Sequence, residues 1–411
     1  MTSSIYIAKT VYGGDGIGRL GDGRVVFVPG AFAGEHVKAE IFEEKRHFAR
    51  ARLVTVEDPS PERRSLEPPP QPGMVYHALS AKGECDAKSS QLAEFFERAR
   101  IALPGGGVQA KPVAGGGEED MLHYRNKVTY HFAKRGDGWA MGYLAEPAHE
   151  VVDLAEDVLA RPEINAAMGE VRRSTFALLS QGSPEVRRSV ERKETVTVRW
   201  TARSGVRWWL GDAPADVVLR ESAMGRPFEV PAGGFWQINH AVGEALVKSV
   251  VTRCTADAGA AADILDLYCG VGVLGISCAV AARGHGQVRL AGVESGREAV
   301  EFARRNAATN GVAANFIANR VGGCLRRLKA GPDTTVIVDP PRGGMEKGVA
   351  QWLAGCGARR ILYVSCDPAT MTRDLRVVTG SYDVESVEWF NMFPRTARFE
   401  TLVSLRRRAA H

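Results

Sequence analysis

The sequence predicts an α/β protein. Its C-terminal half reads as a doubly wound parallel sheet, preceded by a small β-barrel and a central α+β segment. Three observations lead there. From about Pro227 onward, the apolar runs Ile264–Leu267, Leu290–Val293, Thr335–Val338 and Ile361–Val364 alternate with helical stretches such as Arg297–Asn310, the pattern of parallel strands joined by crossover helices. The first segment, Ile5 to about Glu57, is instead a set of short alternating runs punctuated by glycine, as expected of a small barrel. Finally, 411 residues at about 100–200 per domain give room for two to three domains.

Taken in order, Tyr12-Gly-Gly-Asp-Gly-Ile-Gly18 is a turn before the strand-like Arg24–Pro29, and Glu35–Glu40 and Arg50–Glu57 alternate apolar and polar residues. Asp58-Pro-Ser-Pro61 and Pro68-Pro-Pro70 mark a linker. In the middle, Gln91–Ile101 and Ile164–Leu179 have helical spacing, Asn126–Ala133 and Thr195–Trp200 alternate like strands, and Gly105–Gly117, with two glycine triplets, is a loop. The expected division is therefore 1–58, 72–224 and 227–411.

Composition narrows the function classes. Hydrophobic residues are 45% and charged residues 25% of the chain, which excludes a disordered or fibrous protein. No apolar run approaches the roughly 20 residues a membrane span needs. Met1–Ile7 has no basic stretch leading into an apolar one, so a cytoplasmic location is expected. A net charge of +5 permits nucleic-acid binding without arguing for it. The seven cysteines include no C-x-x-C pair, so reduced thiols are expected, with neither disulfide framework nor metal site. Cys254, Cys278, Cys324 and Cys356 read as small core residues.

Four motifs fall at strand ends, where open α/β sheets bind ligands. Asp266-Leu-Tyr-Cys-Gly270-Val-Gly272-Val-Leu-Gly275 contains G-x-G-x-x-G, and Glu294 closes the next strand, where an acid can accept both hydroxyls of a ribose. This pattern fits a dinucleotide or S-adenosylmethionine. Asp266 at the first strand end leans toward the latter. Asp339-Pro-Pro341 is a rigid strand end able to aim a carboxylate. Arg342 stands where amino-group methyltransferases usually place an aromatic residue, which makes amino methylation the less expected reaction. Cys366, between Ser365 and Asp367 and before a strand-stopping proline, is a candidate nucleophile. Glu400, between Phe399 and the apolar run Leu402–Leu405, is a candidate base whose pKa burial would raise.

One chemistry uses every part. Carbon 5 of uracil attacks a methyl donor only after a thiolate adds to carbon 6, and a base must then remove the carbon 5 proton so that the thiolate leaves. The base must also be out of its helix. At this point the chain resembles the RNA 5-methyluridine methyltransferases over most of its length. The N-terminal segment resembles a TRAM domain, an RNA-binding barrel. Tyr124-Arg-Asn-Lys127 resembles the central-domain segment, and Phe235-Trp-Gln237-Ile-Asn239 the motif whose glutamine contacts the cofactor. Ser365-Cys366-Asp367-Pro368 resembles the nucleophile motif, and Met392-Phe-Pro394 through Glu400 the segment bearing the base.

The resemblance implies a Rossmann-like class I methyltransferase domain that takes S-adenosylmethionine. Gln237, Tyr268, Gly270, Glu294 and Asp339 would bind the cofactor, with Cys366 as nucleophile and Glu400 as general base. The implied substrate is a flipped uridine in transfer or ribosomal RNA, with no DNA or membrane partner and a monomeric enzyme. Two departures stand out. Only Cys85 lies where many members hold four cysteines for a 4Fe-4S cluster, so no cluster is expected. Val273 replaces a common cofactor-contacting asparagine. Arg342, Arg395 and Arg398 are candidate phosphate contacts. The rivals are a dinucleotide oxidoreductase, a non-catalytic RNA-binding protein and a base amino-group methyltransferase.

Overall fold

The computed structural model describes residues 2–64, 70–106, 112–145, 149–256 and 261–409. Pro68 and Pro69 of the expected linker, and residues 107–111 of the glycine-rich loop, lie outside them. Strands Thr2–Thr10, Gly16–Arg19, Val25–Val28, His36–Glu44 and Phe48–Asp58 close into a five-stranded barrel. Its strands alternate because every second residue turns inward. Ile5, Ile7, Val26, Val28, Val37, Ala39, Ala49 and Ala51 fill the interior.

The helix Ala81–Ala99 follows, its first turn capped by Ser80, whose hydroxyl accepts from the Gly83 N–H at 2.9 Å. The apolar face of this helix belongs to another part of the chain. Cys85, Leu92 and Phe96 sit in one buried cluster with Leu375, Trp389, Phe399 and Val403 near the C-terminus. The span between the barrel and the methyltransferase-like half thus feeds two cores. Its later part forms a five-stranded antiparallel sheet, ordered Gly205–Leu210, Thr195–Thr201, Lys127–Arg135, Gly138–Ala145, Glu150–Asp153. The helix Pro162–Gln181 lays Ile164, Met168, Val171 and Leu179, spaced three and four apart with Thr175 between, on one face of that sheet.

A hairpin, Val218–Ala223 with Arg226–Pro231, crosses residues 224 to 227, where the sequence marks a change of segment. Met224 and Gly225 both have positive φ, 51° and 70°. That is the backbone of a tight hairpin turn, so the chain folds back on itself there.

The C-terminal half is a seven-stranded sheet ordered Ala314–Ala318, Gln287–Glu294, Ala261–Leu267, Thr334–Val338, Arg360–Ser365, Glu400–Arg407, Tyr382–Phe390. The first five are parallel, Glu400–Arg407 runs antiparallel to them, and Tyr382–Phe390, antiparallel to that strand, points the same way as the first five. Both faces are buried. Leu265, Val336, Val338, Ile361 and Tyr363 point into one core, and Ile264, Ile337, Leu362 and Val364 into the other. This explains why these strands read as continuous apolar runs. From Ala261–Leu267 the chain first builds outward through Gln287–Glu294, then returns to build the other way from Thr334–Val338. The gap between those two directions is the topological switch point, where doubly wound sheets bind their ligands. Among the described residues, no helix is long and apolar enough to cross a membrane.

Candidate active site

At the switch point the strand Ala261–Leu267 runs into Tyr268, Cys269 and Gly270 before the helix Val273–Ala282. The turn is tight: Gly272, which caps that helix, has φ of 88°, a conformation glycine adopts without a Cβ clash. Asp266 braces the loop from beneath, its buried carboxylate accepting from the Gly275 N–H at 2.9 Å. A Cβ on Gly275 would lie 2.7 Å from that oxygen, so the third glycine of the motif is needed for strand and helix to approach. Asp266's other carboxylate oxygen is buried without a partner. Burial first, then Asp339 and Glu294, push its carboxyl up to about 7.

Glu294 ends the neighbouring strand and turns back onto the same loop. Its carboxylate accepts from Gly270 N–H at 3.2 Å, Gly296 N–H at 2.7 Å and the Ser295 hydroxyl at 3.0 Å. Tyr268 is oriented by its hydroxyl, which accepts from the Glu346 N–H at 3.2 Å. One cavity is lined by Gln237, Tyr268, Gly270, Glu294 and Asp339, so the five expected cofactor residues share a single space. Trp236, Leu246, Val271 and Val273 supply apolar walls. An apolar cavity with a few convergent polar groups suits a nucleoside. The orphaned Asp266 oxygen and the Glu294 carboxylate at the strand end make the residues fit a ribose-bearing cofactor.

The second half of the site comes from strand register. Arg360–Ser365 and Glu400–Arg407 are antiparallel neighbours, with Ser365 opposite Thr401. Cys366 and Glu400 each lie one residue beyond that pair, so they meet at the same edge of the sheet although far apart in sequence. Asp367 fixes the backbone after the cysteine by capping the helix Pro368–Val378. It accepts from Ala369 and Thr370 N–H at 3.1 and 3.0 Å, and Ser365 Oγ accepts from Asp367 N–H at 3.1 Å.

The charges explain the resting state. Cys366 is half-buried, and burial, followed by Glu400 and Asp339, pushes its thiol up to about 11 while Arg342 opposes the shift. Glu400 is buried, and burial and Asp339 hold its carboxyl well above the usual range, again against Arg342. Asp339 lies at the floor of the cavity, partly reachable by water but walled by protein, and desolvation raises it to about 7. It lines the cavity, and its charge contributes to the raised pKa of both Cys366 and Glu400.

The arginine candidates divide. Arg342 is exposed and Arg398 half-buried near this edge. Arg395 is not available to phosphate. It is buried, its N–H donates to both Glu84 oxygens at 3.0 Å, and its guanidinium lies 3.7 Å from Glu84 and 3.6 Å from Glu118. The fully buried pair Lys88–Glu84, at 2.8 Å, completes this tie, with Lys88 donating to Asn391 Oδ1 at 2.7 Å. Cys85 is buried on the same helix. Among the described residues, no group of three or more His, Cys, Asp or Glu is placed to hold a metal ion. Sequence reasoning missed Lys88 and Arg199, both charged residues at helix or strand positions that face inward. The inward-facing phase was the one available signal.

Comparison with known proteins bears on this arrangement. Residues 325–408 match the tRNA (Uracil-5-)-methyltransferase family, residues 7–54 the TRAM domain and residues 243–352 the methyltransferase small domain. An uncharacterized RNA methyltransferase of Streptomyces coelicolor is 30% identical, covering 98% of this chain and 92% of its own. Another, of Gloeobacter violaceus, is 29% identical over 99% and 96%. The crystal structure of Pyrococcus abyssi tRNA (uracil-54, C5)-methyltransferase in complex with S-adenosyl-L-homocysteine shares the fold, with TM-score 0.71, 21% identity, and 98% and 99% of the two chains covered.

Proposed function

Because the chain belongs to the RNA methyltransferases, in the uracil-C5 family with an N-terminal TRAM domain, we propose that it methylates carbon 5 of a uridine in transfer or ribosomal RNA through a covalent bond to Cys366. The observation that best supports this is the Ser365–Thr401 register, which makes residues 366 and 400 neighbours across the two strands. Gln237, Tyr268, Gly270, Glu294 and Asp339, which line one cavity, would hold S-adenosylmethionine, which would supply an electrophilic methyl group.

The chain's own residues do the rest. The Cys366 thiolate adds to carbon 6 of the flipped uracil, and the electron pair of the 5,6 double bond moves onto the carbon 4 oxygen. Arg342, which opposes the raised pKa of both Cys366 and Glu400, stabilises the thiolate. Once carbon 5 carries the methyl group, the Glu400 carboxylate removes its proton. The double bond re-forms and expels the Cys366 thiolate. Burial excludes water from the carboxyl and keeps its basicity high, as proton abstraction from carbon requires. The barrel and the exposed arginines contact RNA, and the enzyme works as a cytoplasmic monomer.

RNA containing 5-fluorouridine has no carbon 5 proton to lose, so the adduct should persist on a denaturing gel, and Cys366→Ala should abolish it. Absence of any adduct with transfer or ribosomal RNA in the presence of S-adenosylmethionine, or an adduct that survives Cys366→Ala, overturns the proposal. Mass spectrometry of nucleosides distinguishes carbon from amino methylation and identifies which RNA is used.

A further inference from the structure

The cavity wall between the hairpin strand Arg226–Pro231 and the helix His240–Thr255 is irregular backbone, and its carbonyls need partners from outside. They find them in the central sheet. Arg199 Nη1 donates to Ala232 O at 3.1 Å and to Gly234 O at 2.8 Å. Asn126 donates from its side chain to Gln237 O and from its N–H to Ile238 O, both at 2.9 Å. Gly234, Phe235, Trp236 and Gln237 all line the cavity. The wall that carries the cofactor glutamine is therefore pinned at two points, by the strand Thr195–Thr201 and by Asn126 just before the strand Lys127–Arg135.

Arg199 is an unusual choice for a core position. It lies on the strand Thr195–Thr201 and is 1% exposed. Its charge is met by Glu221 of the hairpin at 3.4 Å, itself 4% exposed. A buried ion pair adds little stability over well-packed apolar side chains. What an apolar residue could not do is donate to two carbonyls of the wall at once while holding the hairpin that leads into it.

We propose that Arg199 is a positioning residue for the cofactor: from the central sheet, its guanidinium holds the segment Ala232–Gln237 in the shape that binds S-adenosylmethionine. The proposal rests on the cofactor assignment above. It is tested on the full chain by calorimetric binding of S-adenosylhomocysteine and by steady-state kinetics for wild type, Arg199→Met and Arg199→Lys. Arg199→Met should raise the dissociation constant, and KM for S-adenosylmethionine, by about tenfold or more. KM for RNA and kcat at saturating cofactor should stay within about twofold. Arg199→Lys should recover part of the affinity, because an ammonium can still donate to both carbonyls. Should the methionine variant not fold, the lysine variant carries the test, with affinity intermediate between wild type and loss. Unchanged cofactor affinity in a folded variant, or KM values for RNA and cofactor rising together, overturns the clamp alone. A wild-type protein that binds no S-adenosylhomocysteine overturns the cofactor assignment, and the clamp with it.

Discussion

The thiol of Cys366, pushed up to about 11, is a thiolate in only about one molecule in ten thousand at neutral pH. Alkylation of Cys366 in the RNA-free enzyme should therefore be slow at pH 7 and accelerate about tenfold per pH unit up to about pH 10, because only the thiolate reacts. Peptide mass spectrometry after iodoacetamide treatment measures it, and a flat profile would place the thiol in a different electrostatic setting. Glu400→Gln should give a complementary result. With no carboxylate to take the carbon 5 proton, the methylated adduct should accumulate on ordinary uridine-containing RNA while turnover falls by about 10²–10⁴. Normal turnover would assign the proton to another group. At this scale the sequence was informative where chemistry and backbone signals coincide: Cys366 is flanked by a polar pair and a proline, and Glu294 ends a strand after a glycine loop. Arg395 reads from the sequence as a candidate phosphate contact because nothing local reveals that Glu84, more than 300 residues earlier, takes its N–H.

Among the elements, the apolar runs of the parallel strands were legible because both their faces are covered, and the helix Arg297–Thr309 because its buried residues recur every three or four positions. The sequence did not show that Glu400–Arg407 enters the sheet antiparallel between Arg360–Ser365 and Tyr382–Phe390, nor the register that makes neighbours of residues 366 and 400. Those depend on pairings between distant segments, which local periodicity does not encode. Nor did periodicity reveal that the helix Ala81–Ala99 packs on the C-terminal core. Lys88 and Glu84 secure that helix to the segment leading to Glu400 through Asn391, Phe393 and Arg395. Lys88→Met removes the nearer of the two cations beside buried Glu84 and leaves only Arg395 at 3.7 Å, which should lower stability by about 3–5 kcal/mol. Denaturant unfolding reads this directly, and a loss under about 1 kcal/mol would mean that Asn391 and Arg395 suffice for Glu84.

Over the whole molecule, folding raises the carboxyls that gather at the site. Asp266 and Asp339 are raised to about 7, and Glu400 is raised well above its ordinary value. A carboxyl raised on folding favours the native state fully below its unfolded pKa, near 4, and loses that contribution as pH rises through the folded value. Asp266→Asn cannot titrate. The melting temperature of wild type relative to this variant should therefore fall between about pH 4 and pH 7 and level off above about pH 8. A difference independent of pH would show that the Asp266 pKa does not change on folding. The three-part layout was visible in composition and turn signals, but the traffic between the parts was not. The cofactor cavity takes its floor from one sheet and the fastening of its wall from another, while the helix Ala81–Ala99 completes the C-terminal core. This matters to anyone who would transplant the catalytic half into a fusion protein or shuffle it between relatives. A piece cut at residue 240 would leave behind Gln237, the pins on its carbonyls and the helix that seals Trp389 and Phe399, so the chemistry is not a portable module and must travel with its neighbours.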